Sequence, residues 1–179
     1  MPIDQHEIVQ VYRRRASRYD FTANLCYLIG FRLGAYRRAA VAQLKLRPGD
    51  TVVEVGCGTG LNFRLLEGVV GPAGRIVGVD LTDAMLAQAR RRIEREGWRN
   101  VDLVACDAAR YEFPGRVGGI LSTFALMMVP EYESVIERGA RALAPGRRWV
   151  GAALKIPEWP GARLCARALV PFYRPFGGT

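Results

Sequence analysis

The chain reads as an α/β protein: a doubly wound, mostly parallel sheet with helices on both faces. Three observations predict it. Short runs of β-branched and apolar residues alternate with stretches of helical period, the pattern of strand–helix–strand crossovers. The first run, Thr51-Val52-Val53-Glu54-Val55, passes straight into Gly56-Cys57-Gly58-Thr59-Gly60. Carboxylates stand at the ends of three successive runs, Glu54, Asp80 and Asp107. Open α/β sheets bind ligands beyond such strand ends, so these acids and one glycine loop predict a nucleoside-binding crevice. At 179 residues the chain forms one domain, and a domain of that size buries roughly 70% of its unfolded surface.

Each element follows from local pattern. A first helix is expected over about 5–18, ending in Arg13-Arg14-Arg15-Ala16-Ser17-Arg18 and followed by Tyr19-Asp20. A second, about 22–45, carries Leu25, Leu28, Ile29 and Leu33 at helical spacing. Arg47-Pro48-Gly49-Asp50 turns the chain into strand one, whose valines point to both sides, as in a strand covered on both faces. A helix over 61–69 is stopped by Gly71-Pro72-Ala73-Gly74, and strand two spans 75–79. The helix over about 83–96 turns Leu86, Ala89 and Ile93 inward and Arg90, Arg91, Arg92 and Arg95 mostly outward. Thr82 or Asp83 caps it and Gly97 ends it. Strand three is about 101–105 and strand four 119–124. Pro130 opens a helix over 131–144, and Leu143-Ala144-Pro145-Gly146 turns into strand five at about 148–154.

The spacing of the glycines selects the cofactor. A dinucleotide site wants G-x-G-x-x-G, which would put its third glycine at position 61, where this chain has Leu61. The pattern here is G-x-G-x-G with an acid two residues upstream. It resembles motif I of the class I S-adenosylmethionine-dependent methyltransferases. The longer stretch Tyr19-Asp20 … EVGCGTGLNF … VGVDLTDAML … VPEYESVIERGARALAPG … LKIPEWP looks like quinone-biosynthesis and bacterial phospholipid N-methyltransferases, over roughly residues 10–160.

The resemblance implies a Rossmann-like sheet of order 3-2-1-4-5, with the glycine loop at the switch point between strands one and four. It implies S-adenosylmethionine as cofactor and S-adenosylhomocysteine as product. In that family the loop at Gly56, Cys57, Gly58 and Gly60 cradles the methionine and ribose portion, and the acid at Glu54 helps order it. Asp80 takes the ribose hydroxyls, and a carboxylate suits two hydroxyl donors. Leu81 lies along adenine, Asp107 binds its amino group and the Ala108 N–H meets a ring nitrogen. Asn62, Met85 and Thr123 complete the expected set, with Tyr19 on an amino-terminal lid. Each has a plainer reading: a ligand-free loop, a helix cap at Asp80, a turn residue at Asp107, a core aromatic at Tyr19.

Where the resemblance breaks is also informative. The family continues past strand five with a helix and an antiparallel hairpin, whereas residues 155–179 carry prolines at 157, 160, 171 and 175 and suit one short helix near 160–169. A five-stranded sheet is therefore expected, strand five being an edge that a second copy covers or that marks a truncated chain. No Asp/Asn-Pro-Pro-aromatic tetrapeptide follows strand four. The segment Ser122 to Pro130 is mostly apolar, which favours an oily acceptor over a nucleic-acid base and equally fits core packing of Met127 and Met128. No catalytic residue is assigned, because a neutral amine acceptor needs no general base. The amine of a phosphatidylethanolamine-type lipid is the first expectation for the acceptor, and a quinone or other small metabolite the alternative. RNA methylation, nicotinamide-dependent oxidoreduction and non-enzymatic cofactor binding rank lower.

Charge divides the chain into three. Residues 1–48 carry nine Lys/Arg against three Asp/Glu, residues 49–154 thirteen of each, and residues 155–179 four against one. The whole +9 excess thus flanks a neutral core. Arg13, Arg14, Arg15, Arg18, Arg163 and Arg167 lie among aromatics, a composition of interfacial helices, which predicts a peripheral contact with an anionic inner membrane face. A solvated helix face explains the same arginines. The four cysteines form no C-x-x-C pair and His6 is the only histidine, so neither a zinc site nor a disulfide framework is expected, and a reducing cytoplasm is. The polar amino-terminal residues do not read as a signal peptide.

Overall fold

A computed structural model describes residues 5–20 and 33–153. Residues 22–32 of the expected 22–45 helix and the whole expected helix over 160–169, with Arg163 and Arg167, lie outside the described residues. The elements are α1 (Gln5–Arg15) with a 3-10 turn at Ala16–Arg18, α2 (Leu33–Gln43), β1 (Thr51–Val55), α3 (Phe63–Val70), β2 (Arg75–Asp80), α4 (Asp83–Glu96), β3 (Val101–Ala105), β4 (Val117–Thr123), α5 (Tyr132–Ala142) and β5 (Leu143–Ala152).

All strand pairs are parallel and the order is β3-β2-β1-β4-β5, as expected. In the central strands the period of two sorts side chains between two cores. Val52, Ile76 and Leu121 point to one face, where Leu44, Phe63, Leu66 and Leu86 from the α2, α3 and α4 side cover them. Val53, Val77 and Ile120 point to the other, under Val135 of α5. Burying each such side chain contributes about 1.5–3 kcal/mol. The two-sided burial explains why β1 shows no polar alternation.

Two strands begin earlier than the sequence predicts, β4 and β5. β4 begins at Val117, two residues early, because Gly118 is a strand residue, as Gly119 is, rather than a turn. A Cβ on Gly118 would come 2.7 Å from the Asp50 side chain, and one on Gly119 2.8 Å from Leu46. Pro145 and Gly146 lie within β5, where the register against β4 shifts between Val117 and Gly119; Gly146 takes φ +75° there. β5 is the edge of the described sheet. No described helix is long and apolar enough to cross a membrane.

Candidate active site

The carboxyl ends of β1, β2 and β4 and the turn after β3 open onto a cleft of about 900 Å³, its solvent-facing mouth included. The glycine loop forms its floor. Gly56, Gly58 and Gly60 have φ of +70°, +54° and +75°, a region that side chains other than glycine enter at a cost. Gly56 has a second reason, since a Cβ there would overlap the Ala125 Cβ at 2.2 Å. Gly58 differs: nothing lies within 4 Å of its missing Cβ, so the backbone is bare toward the cleft. The Gly56 and Cys57 amides donate to the Val79 carbonyl, which ties the loop to β2.

Asp80 holds the loop through its backbone. Its Oδ2 accepts the Gly58 N–H at 2.8 Å and its Oδ1 the Thr82 N–H at 2.8 Å. Each carboxylate oxygen keeps a further lone pair for a donor in the cleft. Burial raises the Asp80 pKa, and the Thr82 and Gly58 amides pull it back. Glu54 sits behind the loop, 1% exposed. Its Oε1 accepts from Asn62 Nδ2 at 2.6 Å, while its Oε2 has no partner. Desolvation lifts its pKa to about 7, against the Asn62 hydrogen bond and the Arg37 charge, which lower it. Asn62 also donates to Thr123 Oγ1 at 2.8 Å, which takes a second hydrogen bond of 2.8 Å from Arg37 Nη1. Arg37 lies 5.2 Å above the Phe124 ring. Phe124 holds φ +62°, an outlier for an aromatic residue and a mark of a site held by its surroundings.

Of the expected residues, Tyr19, Gly56, Cys57, Gly58, Asp80, Leu81, Met85, Asp107, Ala108 and Thr123 line the cleft. Glu54, Gly60 and Asn62 support it from behind. Gly60 is packed under Phe63, whose ring a Cβ would meet at 2.5 Å. Asp107 accepts from the Ala109 N–H at 2.9 Å and so shapes the turn after β3. Arg138 of α5 donates to the Ala108 carbonyl at 3.0 Å, which fixes that peptide from below.

Four participants escaped the sequence reading: Tyr12, Asp20, Arg37 and Thr59. Arg37 and Tyr12 belong to the basic, aromatic amino-terminal flank by position, yet both line the cleft. Tyr12 donates to Met128 Sδ at 3.4 Å and its ring lies 6.1 Å from that of Tyr19. The amino-terminal helix therefore lies over the cleft and meets the loop after β4. Arg13 is engaged as well, pairing with Asp83 at the start of α4 through bonds of 2.8 and 3.1 Å. Arg92 turns inward rather than outward, donating to the Thr59 carbonyl at 3.0 Å. The wall after β4 is apolar, made of Phe124, Ala125, Leu126, Met128 and Val129, and Met127 is exposed beside it.

A profile of the methyltransferase domain matches residues 52–146, from β1 to the bulge of β5. The chain belongs to that family. It is a class I S-adenosylmethionine-dependent methyltransferase, as its glycine loop predicts. The demethylmenaquinone methyltransferase of Listeria welshimeri is 24% identical over 97% of this chain and 73% of its own length. The ubiquinone/menaquinone biosynthesis C-methyltransferase UbiE of Ectopseudomonas mendocina is 30% identical over 79% of this chain and 56% of its own. Among solved structures, a SAM-dependent methyltransferase of Aquifex aeolicus superposes with a TM-score of 0.62 at 22% identity, over 69% of this chain and 66% of that one.

Proposed function

We propose that this methyltransferase carries the methyl group of S-adenosylmethionine to a ring carbon of a quinol-type acceptor. The observation that carries the reading is the apolar wall of Phe124, Ala125, Leu126, Met128 and Val129, which lines the same cleft as the glycine loop. Kinship with quinone-biosynthesis enzymes supports it and ranks the phosphatidylethanolamine amine, the first expectation from sequence, second. The residues fit the cofactor: Gly58 leaves room against bare backbone, and Asp80 has lone pairs for two ribose hydroxyls. Leu81 and Met85 suit the faces of adenine, and Asp107 and the Ala108 N–H its polar edge. Arg37, the only basic residue among the described lining, suits the methionine carboxylate.

Bound there, the cofactor supplies an electrophilic methyl on a sulfonium, for displacement along one line. The protein's part is alignment and exclusion of water, together worth several kcal/mol. Tyr12 and Tyr19 roof the cleft and the β4 wall seats an apolar ring. As the carbon–carbon bond forms and the carbon–sulfur bond breaks, leaving a neutral thioether in place of the sulfonium, the quinol releases one proton to solvent. Tyr12 does not take it, since burial raises its phenol to about 12 and it stays a donor at neutral pH.

Incubation with methyl-labelled cofactor, a short-chain 1,4-naphthoquinol and phosphatidylethanolamine vesicles tests the acceptor. Label in the naphthoquinol is the expected outcome; label in the phospholipid alone overturns the quinol reading. For the membrane, the described flank offers Arg14 and Arg18, both exposed, since Arg13 is paired. We infer that they contribute to a peripheral contact with an anionic leaflet, where an apolar acceptor resides. Binding to anionic but not neutral vesicles, weakening as salt shortens the screening length below ~8 Å, is the expected result.

A further inference from the structure

Asp20 lies just beyond the amino-terminal helix, outside the cleft lining, yet it reaches the glycine loop. Its Oδ1 accepts the Thr59 hydroxyl at 2.5 Å. Its Oδ2 pairs with Arg92 Nη2 of α4. The same guanidinium donates through Nε to the Thr59 carbonyl at 3.0 Å. Thr59 is thus held at both its hydroxyl and its carbonyl, and it is 1% exposed although it sits in a loop. Thr59 lies between Gly58, whose bare backbone faces the cleft, and Gly60, which is packed on Phe63.

We propose that Asp20 is a positioning residue for cofactor capture: with Arg92 it clamps Thr59, so that seating of the amino-terminal helix and ordering of the glycine loop are one event. The inference rests on the cofactor reading above. Three glycines give the loop more backbone freedom than any other segment of the site, and that freedom must be lost before the loop can receive a ligand. A loop restrained in advance binds with a smaller loss, and apparent affinity scales with the fraction of molecules in the competent shape. The clamp is charge-assisted, and although Thr59 lines the cleft, Asp20 and Arg92 stand outside the lining, so the charged pair adds restraint without occupying ligand space.

Calorimetric titration with S-adenosylhomocysteine tests it. Asp20→Ala and Thr59→Val should each weaken binding by roughly 10- to 100-fold, the range for a lost hydrogen bond to a charged group. The double variant should be no weaker than either single one, because one clamp is removed in both cases. Thr59→Ser, which keeps the hydroxyl, should restore affinity, a rescue that a loss of general stability would not produce. Thermal unfolding without ligand runs alongside, and Thr59→Val, nearly isosteric, serves where Asp20→Ala fails to fold. Unchanged affinity in the folded variants, or additive losses in the double variant, overturns the clamp. Failure of the unmodified protein to bind S-adenosylhomocysteine overturns the cofactor reading instead.

Discussion

Glu54 shows what one residue of the site costs and what its sequence context could reveal. A carboxylate in a valine strand announces a buried acid, and that much was legible. Its partner Asn62 was legible as a member of the loop, but the unsatisfied Oε2 and the Arg37 charge nearby belong to the folded molecule. The folded pKa of about 7 lies above the ordinary 4.5. The native state therefore holds a proton that the unfolded chain releases, and stability falls as pH rises from about 5 to 7. That loss is on the order of 3 kcal/mol at most. Glu54→Gln, which mimics the protonated acid, should match the parent near pH 5 and exceed its stability near pH 8. Urea unfolding at the two pH values checks it, and parallel profiles would refute a neutral buried Glu54. Asp80→Ala acts on the ligand instead. It removes the acceptor of the Gly58 and Thr82 amides as well as the two expected hydroxyl contacts. S-adenosylhomocysteine binding should weaken by roughly 1–3 kcal/mol, measured by titration.

Elements were readable where packing is simple and misread where backbones approach closely. β1 and β2 matched their apolar runs because burial on both faces demands such runs, whereas β3, at the sheet edge, keeps Asp102 and Ala105 exposed. β4 was entered late because glycine serves two opposite purposes, breaking a strand or letting a neighbour close in, and Gly118, against Asp50, does the second. Gly139 in α5 is a parallel case. Its Cβ would meet the Trp149 ring at 2.3 Å and Ile120 Cδ1 at 3.0 Å. Trp149 cannot swing away freely, since Phe113 packs edge-on against it at 6.0 Å and Tyr111 in turn against Phe113 at 5.0 Å. Alanine gains roughly 1 kcal/mol over glycine in a helix interior, while overpacking costs typically 1–3 kcal/mol. Gly139→Ala should therefore be destabilising. Gly68→Ala in α3, where nothing lies within 4 Å of the new Cβ, should stabilise by up to about 1 kcal/mol. Opposite shifts in urea midpoint at equal m-value are the expected result. The contacts made from the amino-terminal side were hardest to read, because Tyr12, Asp20 and Arg37 meet the rest of the site only after the chain has folded back, and no local period marks them.

At the scale of the whole molecule the sheet has two ends with separate duties. The cleft occupies the carboxyl ends of the strands. At the opposite end Asp50, just before β1, receives both Arg147 Nη groups at 2.8 Å from within β5, with only 13% and 19% of the two side chains exposed. Asp50 also accepts the Arg47 N–H at 2.6 Å, and its carbonyl takes the Arg75 N–H at the start of β2. One side chain thus joins the turn before the central strand to the edge strand, across the start of β4, whose Gly118 lies against it. Net charge of the core is zero, and this pair is where the fold encloses two of its charges. Removing one partner of a mostly buried pair leaves the other uncompensated, so Arg147→Met should cost about 3 kcal/mol. Arg147→Met combined with Asp50→Ala should recover part of that loss, since no lone charge remains buried. Because the Asp50–Arg147 pair and the cleft sit at opposite ends of the same strands, S-adenosylhomocysteine affinity should stay at the parent value in both variants while they remain folded. Urea unfolding and calorimetric titration on the same samples separate the two quantities. A fall in affinity without a fall in stability would mean that the closed end of the sheet governs the shape of the open one.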